Sequence, residues 1–144
     1  MNYLILGGAG FIGQHLAHEL LKTRQARVTI IDNLKTSKIN LDQFAEYKNL
    51  FEFIEADLTT VDDAEFVRIV QKHHQVYHLA GSVGVEYIDK NPGDTMYNNV
   101  SLAHKLVPLL QKARRPVTFA STSEIYGEGP FAESDQSNIA TDKL

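Results

Sequence analysis

The sequence predicts an α/β fold in which a parallel sheet is doubly wound, with helices on both of its faces. Three observations predict it. Short apolar segments alternate with helical patterns, those segments are nearly continuous in their apolar character, with Arg27–Asp32 also rich in β-branched residues, and a cluster of glycines joins the first strand to the first helix. Near-continuous apolar strands are typical of parallel sheets that are covered on both faces. The chain of 144 residues is long enough for one such domain.

Strands and helices account for most of the chain as far as Ser121. The expected strands are Asn2–Gly7, Arg27–Asp32, Leu50–Ala56, Gln75–Ala80 and Pro116–Ser121. The expected helices are Phe11–Thr23, a short piece at Leu41–Tyr47, Val61–Lys72 and Pro92–Arg114, the last bent at Pro108 because proline cannot donate a backbone hydrogen bond. From Gly127 onward the chain is polar and irregular, and it stops without a closing element. We therefore expect residues 1–144 to be an incomplete domain.

Composition and charge exclude several classes of protein. The formal net charge is −4 and the lysines and arginines are scattered, so no basic surface for nucleic acid is expected. There are no cysteines, which excludes disulfides and thiolate metal sites. No apolar run approaches the roughly 20 residues that span a bilayer, so no membrane segment is expected. The N-terminus opens directly into a strand, without the basic region of a secretory signal, and we expect a cytoplasmic protein.

The histidines do not have the spacing of a metal site. His15 and His18 lie three residues apart on the first helix, and His73 and His74 close another helix, but no third ligand follows at zinc spacing. No metal is therefore expected. His78 lies within an apolar strand, and we expect it to be a buried, hydrogen-bonded core residue.

The glycines between the first strand and the first helix have the spacing of a dinucleotide-binding turn. The run fits both Gly8-x-Gly10-x-x-Gly13 and Gly7-x-x-Gly10-x-x-Gly13. Glycine there lets the chain reverse, lets the backbone approach a pyrophosphate, and lets helix and strand pack closely. The helix that begins at Phe11 and Ile12 would present free N–H groups to that pyrophosphate. A tight turn without a ligand is the alternative, but the strand before and the helix after favour a Rossmann-like binding site.

Asp32 ends the second strand, nineteen residues after Gly13. A dinucleotide fold places a carboxylate there that accepts hydrogen bonds from the adenosine ribose hydroxyls. The same carboxylate repels a 2′-phosphate, which favours NAD over NADP, although Lys35 and Lys38 lie nearby. The alternative interpretation is a strand-end residue that begins an Asx turn.

Two further strand ends carry candidate residues. Asp57 and Leu58 close the third strand, where Asp57 could contact a cofactor or could cap the helix that begins near Val61. The fourth strand ends in small residues, as expected where backbone runs beside a flat cofactor: Leu79, Ala80 and Gly81. Glu86 and Tyr87 follow in a loop, and either a substrate or solvent could face them.

Hydroxyls and a carboxylate follow the fifth strand in the run Ser121-Thr122-Ser123-Glu124-Ile125-Tyr126-Gly127. Ligands bind at the carboxyl ends of strands in an open α/β sheet. Hydroxyls there can hydrogen-bond a sugar hydroxyl as it loses its proton, and a carboxylate can act as an acid or base. The alternative is a capped loop with incidental serines and threonine.

Together these motifs resemble the N-terminal part of an extended short-chain dehydrogenase/reductase of the NAD-dependent nucleotide-sugar epimerase/dehydratase/decarboxylase group. The similarity runs from the first residue to the last. It is carried by the glycine spacing and by Asp32-Asn33-Leu34, Asp57-Leu58, Tyr77-His78-Leu79-Ala80-Gly81, Asn99-Val100 and Ser121 to Gly127. The last block resembles the Ser-Thr-Ser-Glu-Val-Tyr-Gly run of UDP-glucuronate decarboxylase-like members.

The resemblance implies NAD as cofactor and assigns residues to it. The implied NAD-binding residues are Gly7, Gly10, Phe11, Ile12, Gly13, Asp32, Asn33, Leu34, Ser37, Asp57, Leu58, Leu79, Ala80, Gly81, Asn99 and Ser121. Thr122, Ser123 and Glu124 are the implied catalytic residues. In this family the threonine works with a Tyr-x-x-x-Lys motif, which is absent from these 144 residues, as is the C-terminal sugar-binding domain. We therefore expect this chain alone to bind NAD without turnover.

The resemblance also implies the reaction of the intact enzyme, which is oxidation of a sugar at C4 to a 4-keto intermediate. The dehydratases have an Asp-Glu pair after the threonine, whereas Ser123-Glu124 stands here, which favours decarboxylation of a UDP-uronic acid. A nucleotide-sugar epimerase is the alternative. Two further hypotheses remain for the function. One is a dinucleotide-binding module without catalysis. The other is an NADP-dependent reductase, and Asp32 argues against the reductase. The helix Pro92–Arg114 packs in a homodimer in the resembled family, so we expect a homodimer and a UDP-sugar substrate as partners.

Overall fold

A computed structural model of the protein describes residues 1–122. In this part of the chain, one parallel sheet of five strands has the order β3-β2-β1-β4-β5. The strands are β1 (Asn2–Leu6), β2 (Arg27–Asp32), β3 (Phe51–Glu55), β4 (Gln75–His78) and β5 (Val117–Phe119). The predicted Rossmann-like parallel sheet is therefore confirmed. The strand β2 has the predicted bounds, and the other four strands are one to three residues shorter than predicted.

The helices lie between the strands in the alternation that the sequence predicted. They are α1 (Phe11–Arg24), a 3-10 helix (Leu41–Tyr47), α2 (Asp63–Gln71), α3 (Val85–Lys90) and α4 (Pro92–Ala113). The helix α4 continues across Pro108. The short α3 was not predicted, because Glu86 and Tyr87 were expected in a loop. Among residues 1–122, none of the helices is both long and apolar enough to cross a bilayer.

Two hydrophobic cores, one on each face of the sheet, hold the helices in place. Successive residues of β1 point to opposite faces, so Leu6 belongs to one core and Ile5 to the other, and both are fully buried. Leu6 packs in the core that α2 and α4 cover, around Phe66 and Leu106. Ile5 packs in the core under α1 and the 3-10 helix. The sheet is covered on both faces, which explains the near-continuous apolar strands.

The sheet order places β1 at the centre, between β2 and β4. The order therefore reverses direction at β1, since the chain adds β2 and β3 on one side of it and β4 and β5 on the other. All the strands run parallel, so their carboxyl ends meet at one edge of the sheet. A crevice at such a reversal is where open α/β sheets bind ligands.

Candidate functional site

The glycine turn between β1 and α1 is packed so tightly that a Cβ at Gly7, Gly8 or Gly13 would lie closer than 3.0 Å to another atom. Gly7 has a φ of +73°, and a Cβ there would lie 2.4 Å from Cα of Ala80. A Cβ on Gly13 would lie 2.5 Å from Cα of Gly8. Gly10 is different, because the Ser37 hydroxyl oxygen, 3.6 Å from where its Cβ would lie, is the one neighbouring atom within 4 Å among the described residues, and the space in front of it is open. The turn therefore presents bare backbone on its open side.

The N-terminus of α1 follows directly from this turn. Gly10 is the N-cap residue, so no side chain occupies the capping position, and the first turn holds no acidic residue. The first N–H groups of a helix have no partner within the helix and carry a partial positive charge. Phe11 and Ile12 begin the helix with exposed side chains. This arrangement suits an anion such as a pyrophosphate.

A pocket at the carboxyl edge of the sheet brings most of the predicted cofactor-binding residues together. Eleven of them line it: Gly7, Gly10, Asp32, Asn33, Ser37, Asp57, Leu58, Leu79, Ala80, Gly81 and Asn99. Of the other predicted residues in the described part of the chain, Phe11, Ile12 and Gly13 form the start of α1 beside the pocket, and Leu34 follows Asn33. Their assignment to the cofactor stays a prediction.

The pocket also contains residues that were not assigned to it from the sequence: Lys35, Thr36, Ala56, Thr59, Ser82, Val83, Tyr87, Asn98 and Leu102. Most of these residues adjoin predicted ones along the chain, so their positions next to the strand ends were the sequence signal that could have indicated them. Tyr87 of α3 and Leu102 of α4 are exceptions, and the short helix α3 is what brings Tyr87 there. Of the two alternatives left open for Tyr87, the pocket location agrees with a ligand-facing position.

Asp32 forms the Asx turn that was one of its two alternatives, and its carboxylate also lines the pocket, while its role toward a ribose stays a prediction. Its Oδ1 accepts a hydrogen bond from the Leu34 backbone N–H at 2.8 Å, which is an Asx turn, and Leu34 has a φ of +55°. Its Oδ2 accepts from the Ala9 N–H at 2.9 Å and so ties β2 to the glycine turn. The carboxylate is 9% exposed and lines the pocket. Each carboxylate oxygen can accept a second hydrogen bond, so Asp32 retains acceptor capacity beyond these two bonds.

Asp57 joins two loops rather than capping a helix. The helix α2 is capped by Asp62, whose side chain accepts from the Glu65 N–H at 2.8 Å, so the capping alternative for Asp57 is wrong. Asp57 Oδ1 instead accepts from the Thr59 hydroxyl at 2.6 Å and the Thr59 N–H at 2.9 Å. Its Oδ2 accepts from Lys35 Nζ at 2.9 Å and from Asn33 Nδ2 at 3.3 Å.

These contacts fix the charge of Asp57. The Thr59 hydroxyl bond, opposed by burial and reinforced by the Thr59 N–H, Lys35 and Asn33, holds the pKa of the Asp57 carboxyl well below its usual range. The hydrogen bond to Asp57 and its negative charge raise the pKa of Lys35. Both groups are therefore charged at neutral pH, and they connect the loop after β2 to the loop after β3.

Asn99 of α4 holds the loop that follows β4. Its Oδ1 accepts from the Ser82 N–H at 2.7 Å, and its Nδ2 donates to the Ser82 carbonyl at 3.1 Å. A Cβ on Gly81 would lie 3.4 Å from the same Oδ1. The amide thus satisfies both polar groups of one residue of the main chain, and the carboxyl end of β4 is fixed against α4.

His78 is buried as predicted, but the expected hydrogen bonds are absent from the described part of the chain. The ring is 4% exposed, and neither ring nitrogen has a partner among residues 1–122. Its centroid lies 4.9 Å from that of Phe119 on β5. Burial lowers the pKa of this imidazole, so the neutral form is favoured. His73 is the buried histidine that does have partners, the Thr29 hydroxyl and the Ile69 carbonyl.

The predicted catalytic residues lie at the end of the described chain. Ser121 and Thr122 follow β5 at the carboxyl edge of the sheet and are exposed. Ser123 and Glu124 lie outside the described residues. As for metals, no group of three or more His, Asp or Glu side chains that could ligate an ion is found within residues 1–122.

The pocket fits a dinucleotide on its own geometry. Its glycine turn leaves space where a Cβ would otherwise stand, the uncapped helix N-terminus offers N–H donors, and Asp32 supplies acceptors for hydroxyl groups. Leu79, Ala80 and Gly81 line the pocket beside these groups. The arrangement can bind a long, flat ligand that carries phosphates near its middle.

Comparison with known proteins gives consistent results. The family described as "NAD dependent epimerase/dehydratase family" matches residues 3–143. A UDP-N-acetyl-alpha-D-glucosaminuronate decarboxylase of Bacillus cytotoxicus is 37% identical over 134 residues, which are 92% of this chain and 40% of that protein. UDP-glucuronic acid decarboxylase 6 of Arabidopsis thaliana is 34% identical over 143 residues, 96% of this chain and 39% of that protein. The chain thus spans about 40% of the length of these relatives.

Solved structures resemble the fold over nearly the whole chain. A UDP-glucose 4-epimerase from Bifidobacterium longum, in complex with NAD⁺ and UDP, has a TM-score of 0.79 and 25% identity, and the match covers 98% of this chain and 43% of that one. A UDP-glucose-4-epimerase from Stenotrophomonas maltophila with bound NAD and formylated UDP-arabinopyranose has a TM-score of 0.75 and 26% identity, with 97% and 43% covered.

Proposed function

This chain belongs to the NAD dependent epimerase/dehydratase family, and on that premise we propose that it is the NAD-binding part of an enzyme that oxidises a nucleotide sugar at C4. The observation that carries the proposal is the pocket at the carboxyl edge of the sheet, where the glycine turn, Asp32, the loop after β3 and the end of β4 meet. The cofactor of the family is NAD. When bound, NAD⁺ supplies an acceptor for a hydride.

The residues of this chain divide the work of holding the cofactor. The backbone of the glycine turn and of the first turn of α1, including Phe11 and Ile12, binds the pyrophosphate. Asp32 accepts hydrogen bonds from the adenosine ribose, beside the main chain of Asn33 and Leu34 and the hydroxyl of Ser37. Leu58 contacts the adenine. The four hydrogen bonds that Asp57 already accepts leave it to fix the pocket wall rather than to bind the base.

We propose decarboxylation of a UDP-uronic acid as the reaction of the intact enzyme. Oxidation at C4 turns a uronic acid into a β-keto acid, which loses CO₂ without a strong acid from the protein. Thr122 would accept or donate a hydrogen bond to the sugar hydroxyl, with Ser121, Ser123 and Glu124 beside it. Two relatives at 37% and 34% identity are named as decarboxylases of such sugars, which supports this choice.

Epimerisation at C4 is the second candidate. The solved structures with the same fold include UDP-glucose 4-epimerases, and UDP-glucose 4-epimerase 3 of Oryza sativa subsp. japonica is 31% identical to this chain. The same NAD site serves both reactions. They differ in the fate of the 4-keto sugar.

Two experiments test the proposed function. NAD⁺ titrated into residues 1–144 by calorimetry should bind, and UDP-glucuronic acid added to this complex should be left unchanged. The full-length protein should release CO₂ from UDP-glucuronic acid, whereas interconversion of UDP-glucose and UDP-galactose would favour the epimerase. NAD⁺ binding by the full-length protein without any turnover would favour a non-catalytic module. Turnover by residues 1–144 alone would contradict the assignment of essential groups to a further part of the protein.

We also propose that the protein forms a homodimer through α4. Met96, Val100 and Val107 of this helix are 71%, 60% and 56% exposed, although all are apolar. A second copy of the same helix would bury them. Light scattering after size-exclusion chromatography should give the mass of a dimer, and Val100→Glu should give a monomer, with Lys112→Glu on the same helix as the charged control.

A further inference from the structure

The loop after β2 carries a lysine whose charge is already engaged. Lys35 Nζ lies 2.9 Å from Asp57 Oδ2, and both residues line the pocket. The lysine side chain is 66% exposed and the aspartate 24%. Lys38, three residues further along the same loop, does not line the pocket, and within residues 1–122 its hydrogen bond is made by the backbone carbonyl, which accepts from Gln14 Nε2 at 3.0 Å. The loop thus has one lysine at the pocket and one away from it.

Asp57 is the acceptor that holds this ammonium group, and its own capacity is full. A carboxylate has about four acceptor positions. In Asp57 they are taken by the Thr59 hydroxyl, the Thr59 N–H, Lys35 and Asn33. Lys35 is therefore one part of a set of contacts that connects two loops, and moving it toward another anion would remove its bond from that set.

Few charged residues line the pocket, so this ion pair has a large effect on the net charge of the lining. Within the described chain, Asp32, Lys35 and Asp57 are the charged residues of the pocket lining. With the ion pair intact, Asp57 neutralises Lys35, and the uncompensated charge is that of Asp32. An adenosine that carries a 2′-phosphate would meet this negative charge without a free cation to offset it.

We propose that the Lys35–Asp57 ion pair sets the discrimination between dinucleotides with and without a 2′-phosphate, because Asp57 engages the one lysine among residues 1–122 that lines the pocket and could bind that phosphate. The inference rests on the proposed NAD site. It adds to Asp32 a second determinant, on a different strand end, that acts through the lysine rather than through the ribose hydroxyls.

The test compares NAD⁺ and NADP⁺, which differ only in the 2′-phosphate. Their dissociation constants are measured by calorimetry for the wild-type chain and for Asp57→Asn, Lys35→Met, the double variant and Lys38→Met. Asn at position 57 can still accept from Thr59, so the turn is kept while the charge is removed. Asp57→Asn should lower the ratio Kd(NADP⁺)/Kd(NAD⁺) by about three- to tenfold, the effect of one partly exposed charge.

The other variants test whether Lys35 is the cause of the change in this ratio. Lys35→Met should raise the same ratio by about threefold, since it leaves the Asp57 charge unpaired. The double variant should return close to the wild-type ratio, and Lys38→Met should leave the ratio unchanged. An unchanged ratio in Asp57→Asn, or a gain in NADP⁺ binding that persists in the double variant, would overturn the proposal. If Asp57→Asn fails to fold, an unchanged ratio in Lys35→Met overturns it instead.

The wild-type titration separates this proposal from the one it rests on. Wild-type protein that binds neither dinucleotide would refute the NAD site itself, and with it this inference. Wild-type protein that binds NAD⁺ with a ratio indifferent to both variants would refute the role of the ion pair alone.

Discussion

Gly13 of α1 lies in contact with the backbone of Gly8, so that a Cβ on Gly13 would be 2.5 Å from both Cα and the carbonyl oxygen of Gly8. No side-chain rotation can relieve this overlap, because the atoms concerned are backbone. We expect Gly13→Ala to cost about 3 kcal/mol through overpacking, against a gain in helix propensity of about 1 kcal/mol. Urea unfolding should show a net loss of about 2 kcal/mol.

Gly93 provides the matched control for that substitution. It also lies in a helix, but a Cβ there meets no atom within 4 Å. Gly93→Ala should leave the free energy of unfolding unchanged or raise it by up to about 1 kcal/mol. An equal loss in the free energy of unfolding in the two variants would mean that the start of α1 is not packed against the glycine turn.

Gln14 connects the glycine turn to the segment that follows Ser37. Its Nε2 donates to the Ala9 carbonyl at 2.6 Å and to the Lys38 carbonyl at 3.0 Å, and its Oε1 accepts from Gln43 Nε2 at 2.6 Å. Gln14→Ala should lower the free energy of unfolding by about 1–2 kcal/mol and speed hydrogen exchange in residues 38–43. Gln43→Ala, which removes one of these bonds, should have less than half of that effect.

Lys105 of α4 holds the loop between β3 and α2. Its Nζ donates to the Thr59 carbonyl at 3.1 Å and the Val61 carbonyl at 2.5 Å, and the side chain is 23% exposed. Lys105→Met should lower the free energy of unfolding by about 1–3 kcal/mol, because two carbonyl groups lose their donor. NAD⁺ binding should also weaken, since the same loop forms a wall of the pocket.

Lys90 is the control for Lys105. It pairs with Glu86 one turn away, and both side chains are largely exposed, at 68% and 84%. Such pairs contribute about 0.3–0.5 kcal/mol. Lys90→Met should therefore be nearly neutral. A loss as large as that of Lys105→Met would show that the position of Lys105 has no special importance.

His78 should make the stability of the protein fall in mild acid. Burial lowers its pKa from the ordinary 6.5, and burial likewise lowers that of His73. Below pH 6.5 the unfolded chain binds more protons at these sites than the folded one, so the free energy of unfolding falls as the pH falls. In urea titrations between pH 7 and pH 5, His78→Leu should show a shallower fall. An identical fall in the variant would rule out His78 as a source of acid sensitivity.

The fold was predictable because local signals in the sequence agree with its tertiary structure. Short apolar runs mark the strands, with a β-branched run at β2, glycines mark the turn after β1, and apolar periodicity marks α2 and α4. The bounds of β2 and of the 3-10 helix agree with the prediction to the residue. The helix α3 was not predicted, because its six residues are too few to show a helical period.

The site was predictable as a set of strand ends but not as a network. Glycine spacing and the position of Asp32 depend on local chain geometry, which a sequence displays. The contacts of Asp57 depend on β2 and β3 being neighbours in the sheet, and pairing order leaves no mark on either segment alone. Gln14 likewise contacts residues up to 29 positions away. Whether a polar side chain binds a ligand or another loop follows from such pairings.

The pairing of β1 with β4 determines when the pocket can assemble during synthesis. The strand β2 pairs with β1 and follows it by about 25 residues. The strand β4 also pairs with β1 but follows it by more than 70 residues, and the Asn2 N–H there donates to the His74 ring. A ribosome adding 5–20 residues per second needs about 4–14 seconds to cover that interval. During it, the glycine turn lacks Ala80, the residue against which Gly7 is packed. The nascent chain therefore cannot assemble the pocket until the fourth strand has emerged from the ribosome.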